Sequence, residues 1–257
     1  MTRRPYFSQD GVTIYHGACV DVLAEMAPRS VGLFILDPPY SEQVHANMRS
    51  NRGRKCGTGT SVNNIDFAEF THSDMASALA AIGRVASRWS LVTCAFEHAG
   101  RLCDEPPKGL RFVRCGSWVK IAPTPQMIGD RPAQGWEAVA ILHASDGQRM
   151  RWNGGGKPAV WHHRAEMRGE YPTQKPEPLI MDFLADFGEP GDLVCDPFMG
   201  SGTTLLCAWK RWHLAIGCDI REKACEIAAK RIEAAMRQGR LPTDAAWAKE
   251  VQGTMAF

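Results

Sequence analysis

Apolar residues along this chain fall into short runs, separated by polar or amphipathic stretches. Val12-Thr13-Ile14-Tyr15-His16 predicts a first strand. Val31-Gly32-Leu33-Phe34-Ile35-Leu36 predicts a second, which stops at Asp37. Residues 74–86 have helical spacing, and 90–96 read as a third strand. Segments 112–120 and 136–142 read as the fourth and fifth. The Pro/Gly-rich connection at 122–135 makes them a candidate hairpin at a sheet edge. Residues 178–187 predict a helix. The last two strands are 192–196 and 214–219, each followed by a helix, the second amphipathic over 222–238. Strands that alternate with helices predict a mostly parallel sheet covered on both faces. Ligands of such sheets gather at the carboxyl ends of the strands. Asp37, Asp196 and Asp219 each stand at such an end.

Composition narrows the class. A chain of 257 residues and 28.4 kDa, 44% hydrophobic, suits one α/β domain with an insertion. A net charge of +2 does not announce a polyanionic partner. Local charge says more. Residues 41–65 hold Arg49, Arg52, Arg54 and Lys55 against Glu42. Residues 141–175 hold Arg149, Arg151, Lys157, Arg164, Arg168 and Lys175 against Asp146, Glu166 and Glu170. Two basic segments on a balanced chain fit either a phosphate-facing groove or ordinary solvated loops. The nine cysteines form no CxxC pair, so neither a zinc site nor a disulfide framework is expected. The start of the chain lacks an apolar signal core and no run reaches membrane-spanning length, so a reducing cytoplasm is the expected compartment.

Two motifs carry candidate chemistry. Asp37-Pro38-Pro39-Tyr40 ends an apolar strand with a stiff turn, because both prolines fix φ and supply no N–H. The aspartate can accept hydrogen bonds from an amino group, and the tyrosine ring can stack on a planar base. Asp196-Pro197-Phe198-Met199-Gly200-Ser201-Gly202-Thr203-Thr204 is a strand end, a glycine turn and a helix start. Its amides suit polar cofactor atoms. It is not a phosphate-binding P-loop, since no lysine follows Gly202. Asp219 can accept both hydroxyls of a ribose or cap the following helix. His162-His163 lacks the partner pattern of a metal site, and none is expected.

Together the two strings resemble the β class of DNA amino-methyltransferases, of phage or prophage type, over nearly the whole chain. Tyr171-Pro172-Thr173-Gln174-Lys175-Pro176 is similar to that family's HPTQKP string, and 116–120 with 131–137 add to the likeness. The resemblance implies a Rossmann-like fold with a seven-stranded sheet, circularly permuted so that the catalytic half comes first. It implies a single domain over 1–257, with a basic loop at 41–65 and target recognition over 144–170, a segment that could equally form a flap over the cofactor. The implied cofactor is S-adenosylmethionine. Asp37, Thr173, Gln174, Lys175, Asp196, Phe198, Gly200, Ser201, Gly202, Thr203, Thr204 and Asp219 would surround it. Asp37, Pro38, Pro39 and Tyr40 would act on a flipped-out base. Arg49, Arg52, Arg54, Lys55, Arg149, Arg151, Arg164 and Arg168 would hold the phosphates of double-stranded DNA. The DPPY string favours adenine N6 over cytosine N4, and many members pair as homodimers or serve restriction-modification. A catalytically silent module that binds cofactor and DNA is the competing reading. Two positions depart from the pattern. Gly17-Ala18-Cys19 replaces the usual Gly-Asp-Cys, leaving one adenine contact to Asp21 or to none, and Gly32 replaces a common acid.

Overall fold

Polar turn residues and apolar runs divide the chain into fifteen described elements. The computed structural model describes residues 3–39, 72–123, 125, 129–146, 149–166 and 174–240. The first half comprises β1 (Phe7–Gln9), β2 (Val12–His16), α1 (Cys19–Ala24), β3 (Val31–Leu36), α2 (His72–Val85), β4 (Ala86–Cys94) and α3 (Phe96–Asp104). The second comprises β5 (Leu110–Lys120), β6 (Trp136–Ala144), β7 (Val160–His163), α4 (Glu177–Phe187), β8 (Leu193–Asp196), α5 (Thr203–Lys210), β9 (Leu214–Asp219) and α6 (Glu222–Gln238).

Among the described residues the sheet has nine strands, in the order β1-β2-β9-β8-β3-β4-β6-β5-β7, which corrects the expected seven. The additional strands lie at the two edges. β1 pairs antiparallel with β2 across Asp10-Gly11, whose φ values of 44° and 80° suit the two-residue turn of a hairpin. β7 pairs parallel with β5, so the β5–β6 hairpin is one strand inside the edge. The third predicted strand is also shifted: β4 begins at Ala86, and Phe96 opens α3.

Both sheet faces are covered, as a parallel centre requires. Leu33, Ile35, Leu91, Val139 and Val194 pack with Leu179, Phe183 and Phe187 of α4 and with Leu205 and Ile232 of α5 and α6. Phe34, Leu36, Val92 and Cys195 pack on the other face with Leu23, Leu79, Ile82 and Leu102 of α1, α2 and α3. All six residues of β3 are buried, which places it at the heart of the sheet.

The amino end of the sheet is tied by charge. Arg88 on β4 bonds to Asp192 at 2.6 Å and approaches Glu189 at 3.3 Å. A Cβ at position 32 would collide with the Asp192 carboxylate. Glycine at this position makes room for an acid delivered from the neighbouring β8 end.

His213, 2% exposed, sits beside this cluster. Burial, with Arg211 and Arg88, lowers its pKa from 6.5 to about 4. The folded state therefore resists a proton that the unfolded state accepts. Stability is full above about pH 6.5 and is lost as pH falls toward 4, by about 3 kcal/mol from this group. Replacing His213 with Gln is expected to flatten thermal melting midpoints across that window. A variant as acid-sensitive as the parent there would contradict this.

Candidate functional site

Strand order locates the crevice. From β8 the chain crosses to β9 on one side, and from β3 it crosses to β4 on the other. β3 and β8 are parallel neighbours, with Leu33 opposite Val194 and Phe34 opposite Cys195. Their carboxyl ends flank a topological switch point, where open α/β sheets bind ligands. Asp37 follows β3 and Asp196 ends β8 at this position.

Asp37 is held by two donors. Thr93 Oγ1, on β4, donates to Asp37 Oδ1 at 2.9 Å. Lys175 Nζ donates to Asp37 Oδ2 at 2.5 Å. Lys175 also lies 3.6 Å from Glu137 Oε2, while Lys120 bonds to Glu137 Oε1 at 2.7 Å. Two carboxylates and two ammonium groups form one chain, with both Nζ atoms near the Trp118 ring, at 5.2 Å for Lys120 and 5.8 Å for Lys175. Burial raises the Asp37 pKa, opposed by Lys175 and assisted by Glu137. Burial also disfavours the charge on Lys175, but Asp37 and Glu137 outweigh it and hold the ammonium form. The Asp37 side chain is 23% exposed and that of Lys175 12%, so Asp37 is the member an incoming group reaches more readily.

The glycine turn forms the other wall. Gly200 and Gly202 have φ values of 50° and 75°, a region that favours glycine. A Cβ at Gly202 would also lie 2.7 Å from Ala228 Cβ of α6. Gly200 N–H donates to Asp219 Oδ2 at 3.2 Å, and the Phe198 N–H donates to Asp196 Oδ1 at 3.0 Å. Burial raises the Asp196 pKa from 3.8 to about 7, against the Thr204 hydroxyl and the Phe198 N–H. Arg231 donates to the Ser201 carbonyl at 2.7 Å and to Thr203 Oγ1 at 3.2 Å. Asp219 Oδ1 accepts from the Arg221 backbone N–H at 2.9 Å and from its Nε at 3.1 Å. Asp219 thus holds Arg221, the residue that precedes α6, and buttresses the glycine turn at once.

The structure brings Asp37, Pro38, Pro39 and Lys175 to the same crevice end as Asp196 and the 198–204 turn. Gln174 precedes Lys175 and is half-buried. Tyr40, Thr173, Arg49, Arg52, Arg54, Lys55 and Arg168 lie outside the described residues. The remaining basic candidates separate. Arg164 follows β7, whose His163 pairs with Lys120 at the carboxyl end of the sheet. Arg151 lies at the other end: its carbonyl accepts from Trp89 Nε1 at 2.7 Å, and its guanidinium stands 3.8 Å from Glu189. Arg149 is exposed two residues away.

Much of 149–166 is laid down on α4. Trp152 packs on Phe187 with centroids 4.8 Å apart. Asn153 donates to the Gly188 carbonyl at 2.6 Å, and the buried Trp161 donates to Asp186 Oδ2 at 2.9 Å. Its aromatic residues and Asn153 are therefore anchors for α4. Asp21, the alternative adenine contact, stands 3.7 Å from Arg3. Thr93, Lys120, Glu137, Arg221 and Arg231 are site residues that sequence reasoning missed. No local motif marks them, because strand pairing and helix packing bring them in.

The comparisons with known proteins agree on the kind of protein this resembles. A family model described as DNA methylase, N6_N4_Mtase, matches residues 136–230. Type II methyltransferase M2.DpnII of Streptococcus pneumoniae is 25% identical over 259 residues, covering 90% of this chain and 93% of the relative. Type II methyltransferase M2.LlaDCHI of Lactococcus lactis subsp. cremoris is 21% identical, covering 89% and 92%. Among solved structures, the M1.HpyAVI–SAM complex superposes with a TM-score of 0.62 at 21% identity, covering 86% of this chain and 99% of that one. PvuII DNA methyltransferase (cytosine-N4-specific) superposes with a TM-score of 0.69 at 16% identity, covering 98% and 94%. These superpositions bear on the fold.

Proposed function

We propose that this protein is a DNA methyltransferase that transfers a methyl group from S-adenosylmethionine to the exocyclic N6 of adenine, in a base flipped out of duplex DNA. One observation carries the reading. An acid-Pro-Pro turn and a glycine turn backed by a second acid meet at a single switch-point crevice, from strands far apart in sequence. The matching DNA methylase model and the Type II methyltransferase relatives support DNA as substrate.

The residues present fit the cofactor. Positive φ at Gly200 and Gly202 gives close backbone approach, and Asp219 stands beside the turn as a hydroxyl acceptor. When bound, S-adenosylmethionine supplies an electrophilic methyl group on a sulfonium. Asp219 would take the ribose hydroxyls, the turn amides and Phe198 would line the adenosine side, and Gln174 with Thr173 would meet the methionine end. Asp37 would accept one amino proton and the Pro38 carbonyl the other, favouring a pyramidal nitrogen whose lone pair points at the methyl group. Tyr40 would stack on the base. The nitrogen that gains the methyl group gives up one proton, and Asp37 is the nearest described base. Alignment and fixed electrostatics supply most of the rate. Flipping costs a few kcal/mol, which phosphate contacts by Arg164 and the basic residues 49–55 would offset.

The order of the halves, with the Asp37 strand ahead of the glycine strand in sequence but beside it in the sheet, supports the circularly permuted reading. A single domain over 1–257, homodimerisation and a bacterial cytoplasm belong to the same reading. Cytosine N4 is the second reading, favoured by the likeness to the PvuII enzyme. Incubation with cofactor and mixed-sequence duplex DNA, then mass spectrometry of the nucleosides, separates them. N6-methyladenine is expected. N4-methylcytosine would overturn the choice of base, and methylation at a ring carbon would overturn the amino-group chemistry.

A further inference from the structure

Both carboxylate oxygens of Asp37 have donors, Thr93 on Oδ1 and Lys175 on Oδ2. Each oxygen can accept a second hydrogen bond, but an ammonium 2.5 Å from Oδ2 competes directly with an incoming amino proton there. Thr93 stays inside the sheet on β4, with its single hydroxyl proton directed either to Asp37 Oδ1 or to the Leu36 carbonyl at 3.0 Å, and it brings no charge to the carboxylate. Lys175 has an alternative place, because Glu137 Oε2 is only 3.6 Å from its Nζ. We infer that Glu137 is a positioning residue that draws Lys175 off Asp37 when the target amino group enters, leaving Oδ2 free to accept its proton. This rests on the amino-methyltransferase reading above.

The movement is short. Going from 3.6 Å to ordinary ion-pair contact shifts the ammonium by about 1 Å. Glu137 is itself fixed on β6 by Lys120 at 2.7 Å, so the ammonium moves while its receiver stays. Other charged or titratable groups around Asp37 are Asp196 at the end of β8 and Cys94 on β4, which senses the Asp37 charge. Neither offers Lys175 an ion pair among the described residues.

Neutralising Glu137 gives a signature that lost packing would not. In Glu137→Gln, Lys175 stays on Asp37, so kcat is expected to fall by about 10–100-fold, the scale of one misplaced polar contact. The like charge of Glu137 is also gone, so Asp37 ionises at lower pH. The acid limb of kcat therefore moves down while the maximum falls, and cofactor affinity stays unchanged. Glu137→Asp should recover part of the rate. Lys120→Met should move the limb up, because it leaves a more negative environment at Asp37.

Wild-type turnover on DNA, these pH profiles and a carbon-13 NMR titration of the Asp37 carboxyl in the ligand-free protein form the test. Full kcat in Glu137→Gln, or an acid limb unmoved or moved up, would overturn the inference. If the wild type methylates no DNA, the amino-methyltransferase reading fails instead. The NMR titration still decides the competition for Lys175: an Asp37 pKa that does not fall in Glu137→Gln overturns it. Should that variant not fold, the opposite shift in Lys120→Met decides.

Discussion

Asp37→Ala should lower methyl transfer by about 10³-fold or more, since one pre-organised polar contact is worth 10²–10³ and Asp37 also orients the nitrogen. Cofactor affinity should change little, because the glycine turn and Asp219 come from β8 and β9, independently of Asp37. The fold should also survive. Lys175 loses its 2.5 Å partner but keeps Glu137 at 3.6 Å, so no ammonium is left buried alone. Single-turnover kinetics at saturating cofactor, with a binding titration beside them, make the check. A variant within tenfold of the parent would remove Asp37 from the chemistry.

Asp219→Ala should show the complementary defect. Its carboxylate faces the turn and accepts the Gly200 N–H, so its loss removes the expected hydroxyl acceptor and loosens the backbone beside it. Hydrogen bonds to a charged group contribute about 1.5–3 kcal/mol, so the cofactor Kd should rise by about 10–100-fold. Turnover at saturating cofactor should remain near that of the parent. Calorimetric titration measures the first quantity. Unchanged affinity would show that Asp219 serves only as the partner of Arg221 and the support of the glycine turn.

The readable parts of the fold were those in which one stretch of sequence carried its own signal. β3, β8 and β9 are apolar runs closed by acids, and each was visible as such. β7 was not, because Val160-Trp161-His162-His163 is four residues long and half histidine. β1 does carry a local signal, because Asp10-Gly11 between Phe7-Ser8-Gln9 and Val12 is a hairpin dipeptide. Phe96 continues the apolar run of β4 in the sequence, although it opens α3 and remains 62% exposed.

The site divides in the same manner. Asp37, Asp196, Asp219 and the glycine turn were legible because each is local to a strand end. The chain from Lys120 through Glu137 and Lys175 to Asp37 was not. It exists only because β5 and β6 pair with Trp118 opposite Glu137 and because Lys175 enters from the segment before α4. In the sequence, target recognition is expected over 144–170, a segment that contains Trp152 and Trp161. In the fold Trp161 is 2% exposed and Trp152 packs on Phe187, so α4 is what they serve.

The most direct test is transfer of an isotopically labelled methyl group from S-adenosylmethionine into duplex DNA, by the wild-type protein and Asp37→Ala in parallel. Label is expected on an exocyclic base nitrogen with the wild type and essentially none with the variant, while both bind cofactor. Cofactor binding by the wild type without label in DNA, or equal labelling by both proteins, would contradict it.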